Sequence, residues 1–256
     1  MAEVPIALDL TLWQMHRYIT NQLVINQMPL SNLLNLGAAN AAPRRERRKE
    51  ARPGELLDAA LDLFVEKGFA ATRAEEVAAR AGVSKGTLFL YFPSKEELFK
   101  AVVRESISGR FNEWNAEFET FEGTTAEMLR YCMNTWWERI GATKASGITK
   151  LMMSEAGNFP ELAAFYQQEV MTPAHQLIGR VLQRGVDRGE FRQLDWTYTI
   201  FSVIAPLTFL VMWKHSFGAC QPVSMPALVP EQYIANQVDL LLHGLCVRHP
   251  DESLKT

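Results

Sequence analysis

The clearest alternation of apolar and polar positions along the chain begins after residue 52. Its apolar residues recur at three- and four-residue spacing, at Leu56, Leu57, Ala60, Leu61 and Phe64. This spacing is typical of the buried stripe of an amphipathic helix. Pro53 suits the first helical position and Gly68 follows the last apolar turn, so the pattern predicts a helix over 53–67.

The segment that follows predicts two short helices joined by a tight turn. Thr72 and Glu75 have the spacing of a capping box, which starts a helix that runs to about residue 80. Gly82 breaks this helix, and Ser84 caps the next one, whose Leu88 points back toward the first helix. Short helices that cross closely around a glycine turn are typical of a helix-turn-helix.

Beyond this unit the pattern stays helical, and no convincing run alternates with the period of a strand. Ser94 and Glu97 form a second capping box, and Pro173 predicts a kink inside a long helix. Further helices are predicted over 125–140, 145–156, 160–189, 196–217 and 230–245. The fold class is therefore all-α, with a three-helix helix-turn-helix unit before a larger helical bundle.

The pattern divides the chain into five segments. Residues 1–43 form a poorly defined extension with a weakly amphipathic stretch, and Met15 and Met28 within it offer alternative start sites. A basic arm at 44–52 precedes the helix-turn-helix domain at 53–100. The helical effector-binding and dimerisation domain follows at 101–247, and a tail at 248–256 ends the chain.

Composition places the chain among packed, reduced proteins. Of its 256 residues 48% are hydrophobic and 21% charged, and its 3 cysteines are too few and too scattered for a disulfide scaffold. Acidic residues stand where a signal peptide needs basic ones, and no apolar run of membrane-spanning length is uninterrupted. We therefore expect a cytoplasmic protein with no membrane partner.

Positive charge is concentrated in one short run. The net charge of the chain is -3, yet "RRERRKEAR" at 44–52 sets six basic residues against two acidic ones. Such a run is either a solvated charged face or part of a surface for a polyanion. The compact helical unit that follows favours the polyanion.

Residues 53–100 resemble the DNA-binding domain of TetR/AcrR-type transcriptional regulators. The resemblance rests on "ELLDAALDLFVEKGFAATRAEEVAARAGVSKGTLFLYFPSKEELF", and above all on the phrase GVSKGTLxxYFxSKEEL. The helical remainder is similar to the divergent effector and dimerisation domain of that family, more weakly, through "EAGNFPEL" and "VLQRGVDRGEFR". The resemblance implies a dimeric repressor that a small hydrophobic effector releases from a palindromic operator.

A helix-turn-helix inserts the start of its second helix into the major groove, where each base pair presents a distinct pattern. Lys85 can donate to guanine, and Gly86 lets the backbone approach the bases. Thr87 suits a thymine methyl or a phosphate, while Phe89 and Leu90 offer apolar contact. Many relatives carry Tyr where this chain has Phe89, so operator preference cannot be taken from them.

Phosphate contacts are expected beside this helix, because they set affinity and register while base contacts specify. The resemblance implies that Tyr91 and Lys95 hold the backbone, and that Thr72 and Arg73 grip it from the start of the preceding helix, with Arg73 within reach of a base. Ser84 adds amide donors at a helix N-terminus. The basic arm at 44–52 can extend along the duplex.

The second domain is rich in aromatic residues and methionine. At helical spacing such residues form plain core more often than a ligand site, but the resemblance implies an effector pocket, for which we select Trp137, Met153, Phe209 and Trp213. The apolar breadth of 197–213 and 234–245 fits a homodimer interface. A two-fold dimer places its recognition helices about 34–36 Å apart.

Catalysis and cofactors find no support in the sequence. There is no phosphate-binding loop, dinucleotide fingerprint or nucleophile elbow, and His243, Cys246 and His249 lie at an expected helix end without a metal-site spacing. We expect neither enzyme activity, nor a cofactor, nor a metal. Two readings besides a repressor stay open: a small-molecule-binding module that acts through protein contacts, and a transcriptional activator.

Overall fold

The computed structural model describes residues 44–220 and 227–246, and the side chains from Pro53 onward within them. The chain divides at Arg52, and apart from the start of the first helix the following description applies to the residues from Arg52 onward. Eleven α-helices are described: α1 Arg44–Ala71, α2 Ala74–Arg80, α3 Lys85–Tyr91, α4 Lys95–Ser106, α5 Phe111–Glu119, α6 Thr125–Trp136, α7 Ser146–Glu155, α8 Pro160–Tyr166, α9 Thr172–Asp187, α10 Trp196–Lys214 and α11 Pro230–Leu245. No strand lies within these residues; a single antiparallel bridge joins Phe191 to Cys246.

Helix α1 differs from the predicted helix at its start. It begins at Arg44, so the predicted basic arm at 44–52 is helical and Pro53 lies inside the helix instead of at its first position. Arg, Lys, Glu and Ala are strong helix formers, which explains the extension. The predicted end is confirmed at Gly68, whose φ of 83° interrupts the helical backbone.

Helices α2 and α3 form the predicted helix-turn-helix. Gly82 supplies the turn between them with φ 66°, and the Ser84 hydroxyl caps α3 by accepting the Thr87 N–H at 3.0 Å. The predicted capping box of Thr72 and Glu75 is wrong. Arg73 is the capping residue of α2, and its N–H donates to Glu76 at 3.4 Å.

The caps of later helices follow the predictions closely. Ser94 caps α4, Thr124 and Glu127 form the capping box of α6, and Asp195 caps α10. Two wide π-helical turns interrupt the bundle, Trp137–Gly141 after α6 and Gln167–Met171 before α9. The second lies just before Pro173, where a kink is predicted, because proline has no N–H to donate to the preceding turn.

The first hydrophobic core extends from the helix-turn-helix into the bundle. Phe69 packs against Phe64, Phe99 and Phe159, with ring centres 5.6, 5.4 and 4.8 Å away. The same buried cluster continues through Ile148 and other residues of α7 and α8. The helix-turn-helix is thus packed directly onto the helical bundle.

A second core joins α6, α9, α10 and α11. Fully buried Leu129, Val181, Leu182, Val203 and Ile234 lie in it. Lys214 ties the end of α10 to the turn after α6 by donating to the carbonyls of Gly141, Ala142 and Thr143 at 2.8–2.9 Å. The bundle therefore consists of two packed groups of helices.

Helix α10 is unusually apolar. By length and composition alone it could span a membrane, with a mean hydropathy of 1.5, although Ser202 and Pro206 interrupt its apolar run. Only 28% of that stretch is buried within the chain. An apolar helix with so much uncovered surface needs a partner of some kind.

Candidate nucleic-acid interface and internal cavity

The outer face of α3 is exposed although it carries large apolar residues. Leu88 is fully buried in the first core, while the neighbouring Leu90 is 85% exposed and Phe89 and Tyr91 are each 37% exposed. A seven-residue helix that buries one leucine and exposes the next presents a surface to something outside the chain. Of the residues predicted to contact bases, Lys85, Gly86, Phe89 and Leu90 are exposed on α3, Thr87 is half-buried, and Arg73 lies at the start of α2.

Lys85 is held at the start of α3 by an exposed ion pair with Glu75 of α2. This hydrogen bond from Lys85 lowers the pKa of the Glu75 carboxyl. The Lys85 ammonium also lies 5.7 Å from the centre of the Phe89 ring. The predicted base-contacting residues Lys85 and Phe89 are therefore brought together.

No close contact within the chain requires a glycine at position 86, Gly86. A Cβ added there would meet only the Ser84 hydroxyl, at 3.8 Å, an ordinary contact. Thr87 lies beside it, and its hydroxyl is 2.8 Å from that of Ser84. The bare backbone at Gly86 thus leaves open space outside the molecule, which agrees with close approach of a partner.

Lys95 has a structural role that sequence reasoning missed. Its ammonium donates to the carbonyls of Phe69, Ala70 and Thr72 at 2.9, 3.4 and 3.1 Å, and lies 4.4 Å from the centre of the Phe69 ring. An ammonium has three hydrogens, so all of them are used inside the protein. The phosphate contact at Lys95 stays a prediction beside these internal hydrogen bonds.

Thr72 is likewise used internally. It is buried, and its hydroxyl donates to the carbonyls of Leu63 at 3.1 Å and Gly68 at 2.7 Å. The hydroxyl is thus bonded inside the unit, and the phosphate contact at Thr72 stays a prediction. Arg73, the next residue, is exposed at the start of α2, on the same unit as α3.

A cavity of about 440 Å³ lies in the larger domain. Its walls come from both hydrophobic cores: Phe111, Trp114 and Tyr166 belong to the first, and Met128 and Leu207 to the second. This volume is within the range of pockets that hold drug-sized ligands. A molecule bound there would contact the two groups of helices together.

The structure places only one of the four predicted pocket residues in this cavity. Met153 lines it, but Trp137 is buried in the second core, and Phe209 and Trp213 lie outside with ring centres 6.0 Å apart. Trp136, the last residue of α6, lines the cavity one helical turn after Cys132, whereas Trp137 lies one turn after Met133 in the second core.

The cavity is mostly apolar. Some of its polar groups are bonded within the chain, whereas the buried Nε1–H of Trp114 has no hydrogen-bond partner among the described residues. Glu117 accepts from Tyr131 at 3.0 Å and from Arg139 at 2.8 Å, and Thr149 pairs with Tyr166 at 2.9 Å. Burial raises the pKa of the Tyr166 hydroxyl to about 12. Within the described residues, no group of His, Cys, Asp and Glu has the arrangement of a metal site.

Two models of known protein families match the chain, one in its helix-turn-helix part and one in its larger helical part. Residues 56–102 match the model for bacterial regulatory proteins of the tetR family. Residues 122–217 match the model for a tetracyclin repressor-like C-terminal domain. The first match covers α2 and α3, and the second covers most of the cavity walls.

Some relatives match about a quarter of the chain, and others match about three quarters of it. The transcriptional repressor KstR2 of Rhodococcus jostii is 30% identical over 202 residues, 78% of this chain and 94% of KstR2. The regulator RutR of Escherichia coli is 48% identical over 69 residues, so the chain spans about a third of its length, 32%. The fatty acid degradation regulator FadR of Bacillus halodurans shares the fold, with a TM-score of 0.62, 24% identity and coverage of 75% of this chain and 94% of FadR.

Proposed function

Because the chain belongs to the TetR family of bacterial regulatory proteins, we propose that it is a dimeric transcriptional repressor that releases a palindromic operator when a hydrophobic effector fills its cavity. Such a regulator acts in the cytoplasm, where the chromosome lies.

The exposed face of α3 is the observation that carries the DNA-binding part. Lys85 and Phe89 lie together on it, Gly86 leaves open space, and Leu90 is 85% exposed. A lysine suits guanine acceptors and apolar side chains suit thymine methyl groups. Tyr91, on the same short helix, is the candidate for a phosphate contact, and Arg73 approaches from the start of α2.

Lys95 and Thr72 support this face without contacting DNA. Lys95 binds the three carbonyls at the corner between α1 and α2, and the Thr72 hydroxyl binds that corner from inside. They fix how α2 leaves α1, and thereby the direction in which α3 points. The predicted phosphate contacts at both positions become positioning roles.

Helix α10 supplies the dimer interface in this proposal. Tyr198, Phe201 and Phe209 form an exposed stripe on it, 71%, 54% and 45% exposed, and Leu240 of α11 is 60% exposed. No charged residue lies between Trp196 and Trp213, so two copies meet here without like-charge repulsion. Two helices from each copy would form a four-helix bundle.

The position of the cavity explains how an effector acts. Its walls belong to the core that contains α2 and α3 and to the core that contains α10 and α11. A ligand that fits only one separation of the two cores shifts the distance between the recognition helices of the dimer. It does so by the difference between its affinities for the two conformations.

DNA binding is tested by fluorescence anisotropy and footprinting with DNA upstream of the chain's own gene. We expect two protected half-sites one helical turn apart, and Lys85→Ala to change preference at one base step while Tyr91→Phe weakens all sequences alike. Lys144→Ala, an equal charge change outside α2 and α3, is the control. If the protein binds no DNA specifically, the proposal is contradicted. It is also contradicted if neither Lys85→Ala nor Tyr91→Phe changes the binding.

The dimer and the sign of regulation need separate measurements. Tyr198→Asp should shift the chain toward monomer in light scattering, while Thr120→Asp, on exposed surface elsewhere, should not. Deleting the gene should raise expression from the bound promoter. A fall in expression would instead identify an activator.

A further inference from the structure

An acidic residue lies on the face that is proposed to meet DNA. The Glu75 carboxylate, in the first turn of α2, accepts a hydrogen bond from the Lys85 ammonium at the start of α3. The two side chains are 55% and 54% exposed, so both can reach a partner outside the chain. DNA phosphates repel a carboxylate, so Glu75 lowers the affinity for every sequence in which it finds no hydrogen-bond donor.

The neighbouring Glu76 has a different set of contacts, all of them within the chain. Its two oxygens accept hydrogen bonds from the Lys67 ammonium at 2.9 Å and from the Arg73 backbone N–H at 3.4 Å. Glu76 thus joins the end of α1 to the start of α2. Glu75 instead binds a side chain that is predicted to contact a base.

Lys85 and Glu75 present a donor beside an acceptor. The hydrogen bond from Lys85 lowers the pKa of the Glu75 carboxyl, so this group is ionised at neutral pH and offers only lone pairs. A carboxylate accepts about four hydrogen bonds and an ammonium donates three, so both groups have capacity left for DNA. The Phe89 ring, whose centre is 5.7 Å from the ammonium, lies on the same face.

A G·C base pair presents the complementary arrangement in the major groove. Guanine offers the acceptors N7 and O6, and cytosine offers its N4 amino group as a donor next to O6. Guanine O6 and cytosine N4 are hydrogen-bonded to each other, about 2.9 Å apart. The ammonium and carboxylate of Lys85 and Glu75 are likewise joined by a hydrogen bond, so two adjacent groups on the protein match two adjacent groups on the base pair.

An A·T pair offers a donor and an acceptor with unsuitable neighbours. A carboxylate on adenine N6 lies beside the N7 acceptor, which repels it, and an ammonium on thymine O4 lies beside the C5-methyl group. On a G·C pair the ammonium lies between two acceptors instead. A lysine and a glutamate that are held together therefore discriminate between the two kinds of base pair.

We propose that Glu75 is a specificity-determining residue of the DNA interface, which reads one G·C pair in each half-site together with Lys85. Glu75 accepts from cytosine N4 while Lys85 donates to guanine. On other sequences the carboxylate stays unpaired near phosphates, which adds to the discrimination. This inference rests on the proposed repressor function and deepens it by naming a base pair and a second residue that recognises it.

The test uses duplexes that the full chain selects from a random-sequence DNA library. The pair at which Lys85→Ala alters the preference should be G·C. N4-methylcytosine is then placed at that pair, where it keeps the base pairing and exchanges the groove-facing hydrogen for a methyl group. Fluorescence anisotropy should show at least about fivefold weaker binding by the unmodified chain, the loss of one base contact. A smaller loss, or a pair other than G·C, overturns the inference.

Glu75→Ala assigns the effect to the carboxylate. This variant should bind the methylated and unmethylated duplexes within about twofold of each other, and DNA of unrelated sequence more tightly, because one negative charge near the phosphates is gone. The control is Glu66→Ala, which removes the acid of another exposed ion pair in this unit, with Arg80 at 2.8 Å. It should keep the full sensitivity to N4-methylcytosine. Sensitivity that persists in Glu75→Ala would come from the methyl group itself and contradicts the proposal.

Failure of the inference differs from failure of the proposed function. If the chain enriches no sequence from the library, it is not a sequence-specific regulator, and the inference falls with the repressor. If half-sites are enriched but their binding depends neither on Glu75 nor on cytosine N4, the repressor stands and the inference alone is overturned.

Discussion

The Glu155 carboxylate at the end of α7 accepts a hydrogen bond of 3.2 Å from the backbone N–H of Phe69, at the corner between α1 and α2. Thr149 and Met153 of the same helix line the cavity. One helix therefore contacts the cavity along its length and the helix-turn-helix at its end. If effector binding moves α7, this hydrogen bond transmits the movement to the corner between α1 and α2 and changes the direction of α2.

Glu155→Ala should lower the free energy of unfolding by about 1–3 kcal/mol, because it leaves a buried N–H without an acceptor. Glu155→Gln keeps a carbonyl oxygen in place and should cost less. Urea denaturation measures both. Equal losses in the two variants would show that the hydrogen bond is not what Glu155 contributes.

Substitutions at Lys95 and at Tyr91 should differ in their effects on folding stability and on DNA affinity. Lys95→Met removes three hydrogen bonds to carbonyls and should destabilise the chain by about 1–3 kcal/mol, with a loss of DNA affinity that follows. Tyr91→Phe should change stability by less than about 0.5 kcal/mol while it weakens DNA binding. Urea denaturation and anisotropy at several salt concentrations compare the two. If the Lys95→Met variant is stable but binds DNA weakly, the result supports a direct phosphate contact by Lys95.

The packing of α7 on α1 can be tested at Gly147. A Cβ added there would lie 2.5 and 2.6 Å from the two γ carbons of Val65, so Gly147→Ala should destabilise the chain by about 1–3 kcal/mol. The control is Gly179→Ala in α9, whose added Cβ meets Ile200 at an ordinary 3.6 Å. That change should stabilise by up to about 1 kcal/mol. Thermal unfolding that ranked them in the opposite order would contradict the packing described.

Cys132 should react slowly with alkylating agents. Burial raises the pKa of its thiol to about 11, so at pH 8 the reactive thiolate is scarce, and the rate should climb as the pH approaches that value. Exposed Cys220 is the internal control. Mass spectrometry of both sites against pH measures the difference. A Cys132 rate equal to that of Cys220 at pH 8 would mean that this wall of the cavity is open to water.

Local sequence determines most of what was predicted correctly. The caps at Ser84, Ser94 and Asp195 and the turn at Gly82 depend on neighbouring residues, and each is found where it was expected. The identity of the helix-turn-helix follows from the same local features. These interactions need no knowledge of how distant helices pack.

The internal contacts of Lys95, Trp137 and Thr72 depend on how helices pack. Lys95 reaches carbonyls more than twenty positions earlier, and Trp137 packs in the second core with residues of α9, α10 and α11. Thr72 looks like a cap until the carbonyls of α1 fold onto it. The division of the chain at residue 100 stays a prediction, as do the base contacts.

The buried cluster that runs from Leu56 to Val170 affects how this regulator could be recombined with others. The Phe69 ring packs on Phe159, just before α8, and residues of α7 and α8 belong to the same cluster, so a fragment ending after α4 would lose part of this core. A chimera that borrows the helix-turn-helix would therefore need the facing residues of α7 and α8 as well. The helix-turn-helix of this protein is thus not a free-standing domain, because part of its core lies in the bundle.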